Sequence, residues 1–195
     1  PDGDVLIDGF YDTVEPLSDA EQAAIDALPP VDEQLKDELA LARTEGSERL
    51  ERRLTRPSLT IRGLASGNVG EKARNVIPSS ATAALGVRLV RGNDPDGMLD
   101  LVEAHIEAQG YHIVRDDPDA GTLRSHERVA RVTRGVGYPA SRASMDLPMA
   151  QQVVDAAARA AGEEVLQVPT LGGTLPVFRF EQVLEQPAII VPIAN

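Results

Sequence analysis

Residues 81–115 leave the chain little freedom of fold. Ala81, Ala83, Leu85, Val87 and Leu89 alternate with Thr82, Ala84, Gly86 and Arg88, the period-two pattern of a strand that keeps one face for a core. Asn93-Asp94-Pro95 stops that strand and starts a helix. Asp94 takes the cap, and Pro95 takes the first helical position, where its missing N–H is no loss. Met98, Leu101, Val102, His105 and Ile106 fall on one helical face, and Gly110 stands where a C-terminal glycine belongs. Tyr111 opens a further strand over residues 111–115. A strand, a helix and a strand in this order predict a mixed α+β middle.

The flanks carry their own signals. Ser18-Asp19-Ala20-Glu21 is a capping-box pattern, and Pro29-Pro30 ends the helix by Leu28. Residues 31–54 are charged and helix-favouring; Leu35, Leu39 and Ala42 recur at helical spacing before Gly46 interrupts, and Leu50 and Leu54 continue a weaker stripe. After Arg56-Pro57, Leu59-Thr60-Ile61-Arg62 alternates as a strand, and residues 65–74 read as a loop. A strand is expected over 129–136. Asp146-Leu147-Pro148 opens a helix that Gly162 closes. Residues 165–168 read as a short buried strand, 170–174 as a loop and 176–184 as a helix. The apolar run at 188–193 has the pattern of a strand buried on both faces.

Composition narrows the function. With 195 residues, 42% of them hydrophobic and 26% charged, the chain can bury a sizeable core. Nineteen basic residues against thirty-one acidic ones give a net charge of −12, which works against nucleic-acid binding. No run of about 18 apolar residues is long enough to span a membrane. PDGDVLIDGF has no basic region followed by an apolar run, so a cytoplasmic protein is expected. The absence of cysteine excludes disulfides and thiolate zinc sites.

No complete catalytic apparatus is written in these residues. His105, His112 and His126 form no HxxxH or HxD pair and read as structural histidines. Gly63, Gly67 and Gly70 are too irregular for a phosphate cradle. Two features carry a choice. The small residues Thr82, Ala84 and Gly86 leave space around Arg88, which either offers a fork to a carboxylate or sits in a surface ion pair. Gly172-Gly173-Thr174, ahead of a helix, makes either an anion seat or a tight turn with an N-cap.

The run RPSLTIRGLASG…ARNVIPSSATAALGVRLVRGNDPDG resembles the lid segment of zinc metallopeptidase family twenty, the group of carnosinase-like dipeptidases, aminoacylases and succinyl-diaminopimelate desuccinylase. PTLGGTLPVFRFEQVLEQPAIIVPIAN is similar to the return of the chain into that family's catalytic domain, and DGDVLIDGFYDTV to an insertion of its dipeptidase branch. The resemblance implies an α+β fold: an incomplete ferredoxin-like lid domain followed by an α/β segment of the catalytic domain. It implies a dipeptidase-type insertion and helical linker at 1–56, the lid or dimerisation core at 57–137, and a truncated catalytic segment at 138–195. The lid sheet is expected from residues near 58–64, 81–91, 111–115 and 129–136, with the helix 95–109 packed on one face. An open edge and an uncovered apolar patch are expected to invite partner contacts.

For function, the resemblance implies hydrolysis of a dipeptide or N-acyl amino acid near a free carboxylate, by a homodimer holding two zinc ions per full-length subunit. The zinc ligands and the general-base Glu would lie before residue 1 and, for one His, after residue 195. This chain is therefore expected to hold no zinc and to be inactive alone. Residue by residue, Asn75 of the NVIP run is similar to the lid residue that reaches into the partner's active site. Arg88 is similar to the Arg that grips the substrate carboxylate, and Gly172, Gly173 and Thr174 to a substrate-binding Gly-Gly-Ser. Arg142 is a weaker candidate. The alternative is a non-catalytic dimerisation module.

Overall fold

The computed structural model describes residues 3–173 and 175–192. Helix α1 (Asp19–Ala27) starts as the capping box requires. The Glu21 N–H donates to Ser18 Oγ at 3.3 Å, and the Ser18 N–H donates to Glu21 Oε2 at 2.8 Å. Helix α2 (Asp32–Glu38) is short, and α3 (Leu50–Arg53) is a single turn. Between them Ala40 takes a left-handed φ of 51°, so the weak leucine stripe never becomes one helix, and Leu39 and Leu41 stay exposed.

Strand β1 (Ser58–Ser66) pairs antiparallel with β2 (Ala81–Arg88), from Ser58 opposite Arg88 to Ser66 opposite Ala81. The register slips between Ile61 and Gly63, which leaves Arg62 as an extra residue. The expected loop at 65–74 thus begins two residues later and contains a 3₁₀ turn at Gly70–Lys72. The apolar pairs Leu59–Val87, Ile61–Leu85 and Leu64–Ala83 share one face of the ribbon. That face finds no core in this chain: Ile61 is 64% exposed and Leu64 76%.

Helix α4 (Pro95–Ala108) is capped by Asp94, whose Oδ2 accepts from the Gly97 N–H at 2.7 Å. It buries Met98 and Val102, which with Phe10, Ile25 and Val90 make up the core. Strand β3 (His112–Val114) pairs in parallel with β4 (Val129–Arg131). The crossover between them holds α5 (Ala120–Ser125), where Asp119 accepts from the Thr122 N–H. Helix α6 (Pro148–Ala161) ends at Gly162 with φ 75°, and α7 (Val177–Leu184) follows.

Three expectations are corrected. The four lid segments form two separate two-stranded sheets instead of one. β4 stops at Arg131 because the chain beyond it is drawn to α4, where Arg134 forks onto Glu103. Residues 165–168 and the described part of 188–193 form no strand. A continuous apolar run signals burial without naming a ladder partner, and none reaches these runs among the described residues. Val168 instead lines a cavity of about 60 Å³ with Ile25, Leu28 and Leu54. Ile193 lies outside the described residues. Among the described residues no helix is long and apolar enough to cross a membrane.

Candidate functional site

Arg88 closes the ribbon at the end nearest the body of the chain, opposite Ser58. Its Nη1 donates to the Gly172 carbonyl at 3.0 Å, across 84 residues of sequence. Gly172 lies close to Leu54, the residue that ends α3: a Cβ there would stand 3.1 Å from Leu54 Cδ2. Gly173 beside it has open space, and Thr174 lies outside the described residues. The structure thus brings together Arg88, Gly172 and Gly173, three positions picked out from sequence. Arg88 remains exposed, and one bond uses a single N–H of the five in its planar fork. The others can take a planar anion such as a carboxylate.

Asn75 is not part of this group. It sits in the exposed loop at the far end of the ribbon. The eight residues of β2 separate that end from Arg88 by about 24 Å at the usual rise of a strand. Within one chain Asn75 and Arg88 cannot hold the same small ligand.

Arg142 is corrected from a substrate candidate to a structural clamp. It is only 8% exposed. Its Nη2 donates to the Glu15 and Pro16 carbonyls at 3.2 and 3.0 Å, and its Nε stands 3.2 Å from Glu21 Oε1. Arg91 donates to the Arg142 carbonyl at 2.9 Å and pairs with Glu15. The guanidinium is used in tying residues 15–21 to the segment before α6. A cleft of about 470 Å³ opens beside it, between Glu15, Glu21, Arg91 and the Glu181–Glu185 end of α7.

A second charged cluster is built on α4. Arg115 bonds both Glu103 oxygens at 2.6 and 2.7 Å, Arg134 bonds both at 2.7 Å, and Arg134 also reaches Asp100 at 2.6 Å. The Arg134 hydrogen bonds, then those of Arg115, hold the Glu103 carboxyl down at about 2, and Arg134 is raised in turn by Glu103. With each guanidinium committed, the cluster fixes β3 and residues 132–134 to α4.

The histidines stay apart from this chemistry. His112 and His126 stack face to face, 3.7 Å between ring centres and 5° between planes. Parallel rings in contact do not aim their nitrogens at one shared ion. Among the described residues no three His, Asp or Glu side chains converge as a metal centre requires.

Sequence reading missed Arg62. A Cβ on Gly86 would meet Arg62 Cδ at 2.9 Å and Nε at 3.2 Å. The stem of Arg62 therefore lies across the glycine, filling the space left beside Arg88. The visible signal is Gly63, which breaks the alternation of residues 59–62 at the bulge.

Residues 18–114, just under half the chain, match the M20 peptidase dimerisation domain. Over 113 residues the chain is 30% identical to the Cys-Gly metallodipeptidase DUG1 of Candida albicans, a match covering 55% of this chain and 23% of that protein. The Schizosaccharomyces pombe dug1 is 26% identical over 109 residues, again 23% of its length. The chain thus spans about a quarter of the curated relatives that it matches. Among solved structures, the M20 metallo-carboxypeptidase Sso-CP2 of Sulfolobus solfataricus is 27% identical with a TM-score of 0.70, over 92% of this chain and 43% of that one. Human carnosine dipeptidase 1 shares the fold at 21% identity, TM-score 0.69, over 95% of this chain and 38% of its own. Residues 18–114 are thus similar to a peptidase dimerisation domain of the M20 family, and the chain shares its fold with M20 metallopeptidases.

Proposed function

We propose that this chain supplies the lid and part of the catalytic domain of a di-zinc M20 peptidase that hydrolyses a dipeptide or an N-acyl amino acid. The domain limits are 1–56, 57–137 and 138–195. Arg88 grips the substrate carboxylate, the loop at Gly172, Gly173 and Thr174 lines the same anion seat, and the exposed ribbon tip with Asn75 serves a partner subunit. The observation that carries this reading is the meeting of Arg88 with Gly172. Two segments far apart in sequence converge at a point that leaves a guanidinium fork open to solvent. The placement of Asn75 at the other end of β2 supports a role in a second copy rather than its own. The chain alone holds no zinc and is inactive.

The test uses the full-length enzyme and two substrates, a free-acid dipeptide and its C-terminal amide. Arg88→Ala should cost about 2 kcal/mol or more in kcat/KM on the free acid, because charge-assisted bidentate bonds are the strong kind. It should cost little on the amide. Equal losses on both, with the fold intact, would show that Arg88 does not read the carboxylate.

A second reading, a dimerisation module without catalysis, is favoured by the uncovered ribbon. Besides Ile61 and Leu64, Val76 and Ile77 of its tip loop are exposed, Ile77 by 96%, and such contiguous apolar surface marks contact with a partner. Peptidase activity of the full-length protein that depends on Arg88 decides against this reading.

A further inference from the structure

The ribbon carries charge of the opposite sign to the rest of the protein. Between Ser58 and Arg88 stand four basic residues, Arg62, Lys72, Arg74 and Arg88, and one acid, Glu71. The rest of the chain has fifteen basic and thirty acidic residues. Two of the four, Arg62 and Arg88, lie on one face near the body of the chain. Arg62 is the bulged residue of β1, and a bulge re-aims the side chain it carries. It is aimed across Gly86, two residues from Arg88 on β2 and so about 7 Å away along the strand. Neither guanidinium is in an ion pair among the described residues, whereas Arg52, Arg56, Arg91, Arg115, Arg134 and Arg142 all are.

We propose that Arg62 is a specificity-determining residue that reads a second carboxylate on the ligand held by Arg88. The site then prefers dicarboxylates, and among substrates those whose C-terminal residue is acidic. The proposal rests on the assignment of Arg88 as carboxylate anchor. Gly86 has its own part in it: without a Cβ it leaves room for the Arg62 stem to lie across β2, two residues from Arg88. The α-carboxylate and side-chain carboxylate of one Asp or Glu stand only a few bonds apart and can meet the two forks together.

The test titrates the ¹⁵N-labelled chain with N-acetylglutamate and N-acetylglutamine at low salt, following the Arg Nε–H resonances by NMR. The two probes have the same shape and differ in one carboxylate. N-acetylglutamate should bind about fivefold more tightly, the scale of one exposed ion pair. Arg62→Gln should erase that preference and leave N-acetylglutamine binding in place. Gly86→Ala should reduce the preference with every charge kept, because it displaces the stem. Lys72→Gln, the same charge change at the far end of the ribbon, should leave the preference intact. If Lys72→Gln lowers it as much as Arg62→Gln does, the effect is the general field of the ribbon and the proposal is overturned. Equal binding of both probes, lost in Arg88→Gln, overturns Arg62 as reader and leaves the Arg88 assignment standing. Binding of neither probe overturns both.

Discussion

Arg88 and Gly172 meet through one hydrogen bond, Nη1 to the Gly172 carbonyl at 3.0 Å, and that bond joins the base of the β1–β2 ribbon to the loop ahead of α7. An arginine with a carbonyl already bound is half oriented for an anion. The bonded N–H restrains the guanidinium, so less rotamer entropy would be lost on binding a carboxylate, as proposed above. The position of the loop therefore sets the aim of Arg88.

Gly172 and Gly173 should respond differently to the same substitution. A Cβ at 172 meets Leu54 Cδ2 at 3.1 Å, whereas a Cβ at 173 meets nothing within 4 Å, and neither residue has a positive φ. Gly172→Ala should displace the loop against Leu54 and cost about 0.5–1 kcal/mol of stability, a mild case of overpacking. Gly173→Ala should be neutral or slightly stabilising, because it restricts only the unfolded chain. Thermal unfolding of the two variants checks this, and Leu54→Ala in the Gly172→Ala background should remove the clash.

Glu103 gives the chain an acid-sensitive joint. Its carboxyl is held at about 2 in the fold, chiefly by Arg134 and then Arg115, against an ordinary 4.5. A depressed carboxyl stabilises the fold above its unfolded pKa and loses that contribution as pH falls through the folded one. Stability should thus decline between about pH 4.5 and pH 2. Arg115 stands half in solvent, which screens the pairing and limits the contribution to about 2 kcal/mol. Urea unfolding at stepped pH should show this decline in the native chain. Glu103→Gln should be less stable at pH 7 and flatter across that window.

The elements legible in the sequence are those whose causes are local. Ser18 and Glu21 cap α1, Asp94 and Pro95 start α4, and Gly162 ends α6, each through bonds spanning only a few residues. The alternation of residues 81–88 gave both faces of β2, including the one with Gly86 and Arg88. Sheet assembly was not legible, because a ladder needs a partner that period-two alternation does not name. The apolar runs at 165–168 and 188–192 illustrate this. Arg88 and Gly172, both singled out by resemblance, were legible as positions that the structure brings together. Arg62 was not, since a bulge is a property of two strands in register. Arg142 was misread for a similar reason: its partners, Glu15, Pro16 and Glu21, lie more than 120 residues away.

The Arg142 clamp should prove costly to break from one side. Arg142→Met leaves Glu21, itself only 3% exposed, with the Ser18 N–H as its remaining polar partner. It also frees the carbonyls of Glu15 and Pro16. Removing one member of a buried pair typically costs about 3–5 kcal/mol. Glu21→Gln in the same chain keeps the capping box but removes the stranded charge, so the double variant should recover part of the loss. Denaturant midpoints of the single and double variants measure the coupling. Additive losses would mean that the Arg142–Glu21 pair is not the joint described here.

At Gly92 backbone conformation and space act together. It follows Arg91 in the turn that carries β2 into α4, at φ +98°, a conformation that L side chains rarely adopt. A Cβ there would stand 2.1 Å from the Thr13 carbonyl oxygen and 2.8 Å from the Glu15 N. Both atoms are backbone and cannot rotate away. The Glu15 N–H is moreover bonded to the Arg91 carbonyl at 2.9 Å, and Asn93 Nδ2 donates to Thr13 Oγ1 at 3.0 Å. Relieving the clash must break the seam between residues 13–15 and 91–93. Gly110 provides the control, since its φ is +87° but a Cβ there would meet nothing within 4 Å. Gly110→Ala should cost only the strain of a left-handed alanine, about 1 kcal/mol. Gly92→Ala adds a backbone clash and lost hydrogen bonds, and should cost about 3 kcal/mol or more. Urea unfolding of the two variants compares them directly. Equal losses would place the whole effect in φ and show that the seam at Thr13 yields.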